Sequence, residues 1–160
     1  CPLRESENYT LPALIDETSF TRGRLVSAAD AEVTLSPNWQ RSVPDWKRLP
    51  GSKRKRFLNE VMLHTEGDSG ALSYQFEGVA IGAYLLAGPD TGTVRYRIDN
   101  GEWQTMDLLH RHSKRLHYPR TVMFGVGLVR GQHLLELKTQ PVQSAERGGA
   151  VRILAFAVDD

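Results

Sequence analysis

The segment 93–108 constrains the fold more than any other part of the chain. It contains two stretches of alternating apolar and polar residues on either side of the pair Asn100-Gly101. Asn and Gly tolerate the positive φ angles of a tight type I′ turn, so the segment predicts a β-hairpin. On its first strand, Val94, Tyr96 and Ile98 point to one face, and the polar residues between them point to the other. A hairpin with one apolar face belongs to an antiparallel sheet that packs against a core.

Length and charge exclude several classes of protein. The 160 residues fit one domain with a substantial core. The 20 basic and 19 acidic residues leave a net charge of +1, so no global field attracts the chain to nucleic acid. No apolar run reaches the roughly 20 residues that a membrane helix needs, so no membrane span is expected. The single cysteine, Cys1, permits neither an internal disulfide nor a cysteine metal cluster. We expect no cofactor.

The N-terminal residues are irregular, and regular patterns begin only after them. We expect residues 1–20 to form an extended arm or linker and residues 21–160 to form a β-sandwich domain. Cys1 has two interpretations that the sequence leaves open: the lipid-bearing residue of an exported bacterial lipoprotein, or merely the first residue of an excised domain.

Short alternating or apolar segments separated by turn residues continue along the rest of the chain. The segment 151–158 is almost continuously apolar, which predicts a central strand with Arg152 at its entry. Short strands at this spacing predict an all-β fold, an antiparallel β-sandwich with jelly-roll-like connections. Outside the hairpin, the predicted strands cover residues 24–26, 57–64, 70–76, 79–87, 121–125, 134–138 and 151–158.

The tripeptide Gly67-Asp68-Ser69 spells the start of the nucleophile block of GDSL-type esterases. That chemistry needs a Ser at the end of a buried strand and distant Asp and His partners. Here the tripeptide follows the polar residues 64–66, and no Asp-x-x-His pair occurs later. Gly, Asp and Ser between two strands are also good turn chemistry. We therefore interpret this segment as a surface turn, and we predict no catalytic residues.

Two basic segments have a functional and an ordinary interpretation. His110 and His112 could present two imidazoles to zinc from one strand face, but the surrounding Arg and Lys residues oppose a divalent cation. We expect a solvated basic connection and no metal site. The run Lys53-Arg-Lys-Arg56 could meet phosphate, or the sulfate or carboxylate groups of a polysaccharide. Such runs are usually solvated, and this one lacks the aromatic residues that stack nucleic-acid bases.

Tryptophans in or beside loops are the strongest candidates for ligand contacts. Trp39, Trp46 and Trp103 lie beside polar residues, and an exposed indole can cover the apolar face of a sugar ring. Guanidinium groups can donate hydrogen bonds to sugar hydroxyls or carboxylates. Because residues 109–116 form a single connection, we expect Trp103 to lie close to His117 and Tyr118. The candidate ligand-binding residues are Trp46, Arg97, Trp103, His117, Tyr118 and Arg120.

A family resemblance accompanies these residues. It is carried by Gly78-x-Ala-Ile-Gly82, Ala87-Gly-Pro-Asp90, Tyr96-x-Ile-Asp99, Gly101-x-Trp103 and Leu116-His-Tyr-Pro119. With these motifs, the chain from about residue 14 onwards resembles the β-sandwich domain that accompanies the catalytic domain of bacterial SGNH/GDSL hydrolases, a group that includes carbohydrate esterases. The resemblance implies an exported, jelly-roll-like accessory domain beside an esterase that acts on complex glycans. It also implies that the catalytic triad belongs to the neighbouring domain.

The sequence therefore favours a non-catalytic module that binds a poly- or oligosaccharide beside an SGNH esterase domain of the same polypeptide. It would be secreted, periplasmic or on the outer surface. One alternative is a purely structural module that buttresses the catalytic domain, which a large apolar patch on one sheet face would favour. A weaker alternative is an independent GDSL-type hydrolase.

Overall fold

Eleven β-strands and one short 3₁₀-helix make up the regular structure of the described part of the chain. The structure is a computed structural model and describes residues 22–67, 69–140 and 148–160. The predicted arm, residues 1–20, lies outside these ranges. The 3₁₀-helix spans Lys55–Phe57. In chain order the strands are β1 (Gly23–Ser27), β2 (Val33–Leu35), β3 (Gln40–Ser42), β4 (Met62–Glu66), β5 (Ala71–Gly78), β6 (Ala80–Ala87), β7 (Thr93–Ile98), β8 (Gln104–Asp107), β9 (Tyr118–Gly125), β10 (Gly131–Thr139) and β11 (Ala150–Asp159).

The strands form two antiparallel sheets, which confirms the predicted β-sandwich. The first sheet has the order β3-β4-β11-β6-β9, with β1 paired to the later half of β11. The second has the order β2-β5-β10-β7-β8. The chain crosses between the sheets repeatedly after β4, as in a jelly roll. None of the described residues form a helix with the length and hydropathy needed to cross a membrane.

Alternation of residues along the strands builds the core between the sheets. Leu72 and Tyr74 of β5 and Leu135 and Leu137 of β10 point inward from the second sheet. They meet apolar residues of the first sheet, and the ring of Tyr74 stacks on that of Phe156 with the centroids 4.2 Å apart. The predicted central strand is confirmed, since β11 lies between β4 and β6. Both faces of β11 are covered, which explains its almost continuous apolar sequence.

The predicted hairpin is present, but its turn is shifted by one residue. The residues with positive φ are Asp99 (51°) and Asn100 (61°), and the N–H of Gly101 donates to the carbonyl of Ile98 over 2.9 Å. The central pair of the turn is therefore Asp99-Asn100, not Asn100-Gly101. Asp99 accepts this position because its carboxylate binds the backbone N–H of Leu134 at 2.8 Å, which anchors the turn to β10.

Both boundaries of β4 also differ from the sequence prediction. Phe57 belongs to the 3₁₀-helix rather than to a strand, and β4 begins only at Met62. The polar residues 64–66 are part of β4, and His64 and Thr65 are buried there. Gly67 ends the strand with a φ of 119°. The connection to β5 follows, and its residue Asp68 lies outside the described residues.

Candidate functional site

The outer face of the second sheet presents a row of polar side chains that leads to an aromatic ring. Its side chains come into line because strand pairing fixes their register: Arg97 lies opposite Glu136, Glu136 opposite Ser73, and Ser73 opposite Thr34. These four residues form one row across β7, β10, β5 and β2. Three strand spacings make the row roughly 14 Å long, which is the scale of a short oligosaccharide. We call this surface, together with Trp103, the Trp103 face.

Trp103 stands at the β8 end of this row, among cationic side chains. Opposite residues of a hairpin share a face, and Tyr96 opposite Gln104 points inward, so the preceding Trp103 lies on the outside. The centroid of its ring is 4.7 Å from the guanidinium carbon of Arg97 and 4.6 Å from the ammonium nitrogen of Lys138. The guanidinium carbon of Arg95 lies 5.5 Å away. These cation–π contacts hold the half-buried indole in place.

An ion pair orients one of these cations. Nε of Arg97 donates to a carboxylate oxygen of Glu136 over 2.5 Å. The hydrogen bond that Arg97 donates to this carboxylate raises the pKa of Arg97, so the side chain stays charged at every relevant pH. The Nη groups of Arg97 have no partner among the described residues, so they remain available to a ligand.

Two shallow depressions continue the Trp103 face toward β2. One, of about 260 Å³, lies against Ser36, Ser73, Glu136 and Lys138. The other, of about 440 Å³, lies beyond Thr34. Small hydroxyl side chains at the centre of the sheet leave this space open, and hydroxyls both donate and accept hydrogen bonds. The Trp103 face therefore combines an aromatic platform with a row of polar groups.

The structure separates the predicted ligand residues into three groups, and only Arg97 and Trp103 lie on the Trp103 face. The expected proximity of Trp103 to His117 and Tyr118 is wrong. Trp103 lies at the turn end of the hairpin, where Ile98 packs near Gly125 at the end of β9. Tyr118 begins β9, at the opposite end of the sandwich. The connection 109–116 does return to the sandwich, but it does so beside the end of the hairpin that is opposite the turn.

Tyr118 and Arg120 occupy the edge where β8 and β9 of the two sheets meet. The ring of Tyr118 stacks on His110 with the centroids 4.7 Å apart and touches His112 at 5.4 Å. Arg120 donates to the backbone oxygens of Leu108 and Leu109, each over 3.3 Å. It therefore ties the end of the hairpin to β9. Within the described ranges, no cluster of His, Cys, Asp and Glu is arranged to hold a metal ion.

His117 is instead buried against the half-buried indole of Trp46. His117 is only 1% exposed, its Nε2 lies 2.8 Å from the carbonyl oxygen of Pro50, and its ring meets that of Trp46 edge-on at 5.2 Å. Burial lowers the pKa of His117, so it is neutral. Trp46 packs on an apolar cluster that includes Phe57 and Met62. Because the cluster and the loop around Pro50 cover this part of the first sheet, His117 has no surface to offer a ligand.

Beside that cluster lies a buried ionic network that sequence patterns did not predict. Arg152 has a fully buried side chain and binds Asp90 through two nitrogens, at 2.9 and 2.6 Å. It also donates to Glu66, whose other carboxylate oxygen lies 2.9 Å from Nδ1 of His64. Burial by itself would raise the pKa values of Asp90 and Glu66. The hydrogen bonds and charge of Arg152, with a hydrogen bond from His64 to Glu66, outweigh it and bring both pKa values below their ordinary range.

Ser42 extends this network, and the resulting sequence of side chains (serine, histidine, carboxylate) also occurs in the catalytic triads of hydrolases. Its hydroxyl lies 2.9 Å from Nε2 of His64, so Ser42, His64 and Glu66 form a serine–histidine–carboxylate chain. In a hydrolase such a chain holds an accessible nucleophile next to oxyanion donors. Here His64 is only 4% exposed, and Glu66 is also engaged by Arg152. These contacts join β3, β4 and β11, so the arrangement cross-links the first sheet.

Ser69, the candidate of the GDSL-like tripeptide, has different surroundings. It precedes β5, and its carbonyl oxygen accepts a hydrogen bond of 2.7 Å from Asn38. No described histidine or carboxylate contacts its hydroxyl. The geometry agrees with a connection between two strands.

The first sheet also presents an open groove on its outer face. It has a volume of about 610 Å³ and is lined by the apolar residues Leu25, Phe57, Val61, Tyr84 and Leu154 together with polar ones. Leu25 is 65% exposed and Val61 is 37% exposed. Exposed apolar groups of this size, when they adjoin one another, mark surfaces that contact other molecules.

Comparisons with known proteins identify the fold. No family model matches the sequence, and no curated protein matches it. Among solved structures, a family two carbohydrate esterase from Cellvibrio japonicus aligns with a TM-score of 0.60 at 14% identity, over 86% of this chain and 33% of the esterase. A two-domain esterase active on acetylated mannans aligns with a TM-score of 0.66 at 10% identity, over 97% of this chain and 41% of that protein. A β-(1,4)-mannanase from Podospora anserina aligns with a TM-score of 0.51 at 11% identity, over 86% of this chain and 28% of the mannanase.

The chain thus has the β-sandwich fold of modules that occur within carbohydrate-active enzymes. It spans only about a third to two fifths of the two esterases it resembles. At these identities the likeness concerns the fold, and function has to be argued from the site itself.

Proposed function

We propose that this chain is a non-catalytic, exported module that binds carbohydrate through the Trp103 face, beside an SGNH-type esterase domain of the same polypeptide. The observation that carries the proposal is Trp103 itself, an indole held by cations on an open sheet face. A sugar ring stacks its C–H groups on such an indole, while hydroxyls bond to neighbouring polar groups. Arg97, Glu136 and Ser73 supply donors and acceptors in register beside it.

The fold comparisons support the carbohydrate-associated part of this proposal. The resembling structures include carbohydrate esterases, one of them crystallised with mannopentaose. The sequence motifs that resemble SGNH-associated domains support the identity of the catalytic neighbour. The surroundings of Ser69 and the engaged state of His64 and Glu66 support a module without a catalytic role of its own.

Two substitutions test the binding site directly. Trp103→Ala removes the platform, and stacking of this kind contributes on the order of 1 kcal/mol, so affinity should fall by roughly tenfold or less. Tyr84→Ala is the matched control, because it removes a partly exposed aromatic ring from the other sheet. Calorimetry at high ligand concentration against a panel of neutral and acidic glycans measures both, with circular dichroism as the check on folding.

The control variant should bind as the parent does. If Trp103→Ala keeps full affinity for a glycan that the parent binds, the site lies elsewhere, and the edge cluster of Tyr118 and Arg120 is the next surface to substitute. If the parent binds no glycan on the panel, the binding proposal fails.

A buttress for the catalytic domain is the second candidate, and the groove around Leu25 and Val61 favours it. In that case Leu25→Glu should leave the isolated domain as stable as the parent but lower the thermal stability of the complete polypeptide. Equal stability of the parent and variant polypeptides would remove this candidate. The two functions use opposite faces, so each substitution tests one of them alone.

A further inference from the structure

The surface around Trp103 carries more positive charge than the nearly neutral chain would lead one to expect. Three cations, Arg95, Arg97 and Lys138, surround its ring within 5.5 Å. Glu136 neutralises one of them, through its bond to Arg97. Within the described ranges, no carboxylate forms an ion pair with Arg95 or Lys138, and both side chains are exposed. The net charge of the 160 residues is only +1, so this local excess reflects the arrangement of the sheet.

Strand pairing puts the two unpaired cations side by side. Arg95 of β7 lies directly opposite Lys138 of β10, on the same outer face. Like charges that are directly opposite one another repel and destabilise a sheet. An anion bound between them would remove that repulsion. Within the row, Ser73 and Thr34 toward β2 are uncharged, so its only cation, Arg97, lies at the end that holds the indole.

We propose that the Trp103 face selects an acidic glycan, with a sugar ring on the indole and its carboxylate between Arg95 and Lys138. This inference rests on the proposed carbohydrate binding and adds the class of ligand. Arg97 is held by Glu136, so it donates from a fixed position to a hydroxyl. Arg95 and Lys138, which have no ionic partner among the described residues, would bind the carboxylate. A neutral glycan would leave their mutual repulsion in place.

The basic run 53–56 carries more charge but lacks the rest of such a site. Lys53 donates to the backbone oxygen of Leu49, and the guanidinium carbon of Arg56 lies 4.5 Å from the ring of Phe57. Phe57 is only 7% exposed, so its ring is not available to a sugar. This run therefore provides a control of matched charge: Arg54 and Lys55 are exposed and have no described ion pair.

The test compares acidic glycans with their carboxyl-reduced forms, which keep the same sugar backbone without the charge. Polygalacturonate, alginate and glucuronate-bearing xylan, each with its reduced counterpart, are suitable ligands for calorimetry at low and at 0.15 M salt. The parent should bind at least one acidic glycan more tightly than its reduced form, and the difference should shrink as salt screens the charges.

The double variant Arg95→Gln/Lys138→Gln should weaken binding of that acidic glycan by roughly three- to tenfold, which corresponds to two exposed ion contacts. Its affinity for the reduced form should fall by less than its affinity for the acidic glycan, because Arg97 still contacts the indole in this variant. The control Arg54→Gln/Lys55→Gln removes the same charge elsewhere and should bind as the parent does. Circular dichroism and thermal unfolding confirm that each variant is folded.

The outcomes separate this inference from the proposed function. If the parent binds reduced and acidic forms equally, or only reduced forms, carbohydrate binding stands and selection of acidic glycans is refuted. If the control loses as much affinity as the double variant, the preference is a non-specific charge effect, and the inference is again refuted. If the parent binds neither form of any glycan, both the inference and the proposed function fail.

Discussion

The buried ion network of the first sheet makes the strongest prediction about stability. Arg152 has no exposed side-chain surface, and Asp90 supplies two of its hydrogen bonds. The variant Asp90→Asn keeps the shape of the side chain but removes its charge. Arg152 then retains only Glu66 as an ionic partner, and because the side chain of Glu66 is 40% exposed, water weakens this contact.

We estimate the loss of stability from the cost of leaving the buried guanidinium of Arg152 without the charge of Asp90. Removing one partner of a buried ion pair typically costs 3–5 kcal/mol, and the remaining contact to Glu66 reduces that. We expect Asp90→Asn to lower the free energy of unfolding by about 2–3 kcal/mol at pH 7. For a chain of this size that lowers the melting temperature by roughly 5–10 °C. The exposed pair of Asp45 and Arg48 provides the control, and Asp45→Asn should cost less than about 0.5 kcal/mol.

Urea unfolding followed by circular dichroism measures both variants. A double-mutant cycle with Arg152→Met then isolates the interaction, because removing both charges leaves no stranded cation. The double variant should lose clearly less stability than the sum of the two single losses. Additive losses would mean that Asp90 and Arg152 do not stabilise one another, and the reasoning would be refuted.

The same network predicts a dependence on pH. Because the pKa of Asp90 in the folded protein lies below its ordinary value of 3.8, its contribution to stability is fully present above that pH. It is lost as pH falls through the folded-state pKa. The difference in stability between the parent and Asp90→Asn should therefore shrink in acid, and a constant difference down to about pH 2 would contradict the ionic explanation.

The remaining predictions concern the hairpin turn and the serines. His133 lies 2.5 Å from Asp99 and 2.6 Å from a backbone carbonyl through its two ring nitrogens, and the hydrogen bond to Asp99 raises its pKa. The contribution of His133 to stability is present below pH 6.5 and is lost as pH rises through the higher folded-state pKa. His133→Gln should therefore destabilise the domain more at pH 5.5 than at pH 9. An equal loss of stability at both pH values would refute the ionic interaction of His133 with Asp99. The isolated domain should hydrolyse aryl acetates no faster than buffer, and Ser69→Ala and Ser42→Ala should leave that rate unchanged; activity that either substitution abolishes would refute the non-catalytic proposal.

Local patterns were sufficient for the parts of the structure that depend on neighbours in sequence. Alternation around the hairpin placed Arg97 on the polar face opposite Tyr96, and the structure confirms this. The continuous apolar run of β11 predicted a central strand because only a strand covered on both faces can bury every side chain. The predicted position of the turn was wrong by one residue. The N–H of Leu134 donates a hydrogen bond to the carboxylate of Asp99, which fixes the turn, and these residues are 35 apart in sequence.

The rest of the site depends on pairings between distant segments. Lys138 reaches Trp103 only because β10 lies beside β7, which no periodicity in either strand reveals. The partners of Arg152 come from β4 and from the connection after β6, and the sequence pattern marked Arg152 only as the entry of a strand. His117 stood in a polar, basic segment, yet the loop around Pro50 and Trp46 covers it.

The two outer faces of the sandwich differ in a way that narrows where binding can occur. On the first sheet, Trp46 and Phe57 cover the centre, and the charges beneath them are already paired within the network of Arg152. A ligand there would have to displace protein contacts that are in place. On the second sheet, the central residues are small and polar, and the cations beside Trp103 include two without an ionic partner among the described residues. Cations without a described ionic partner and small hydroxyl side chains therefore occur together on the Trp103 face, which supports the proposal that a ligand binds there.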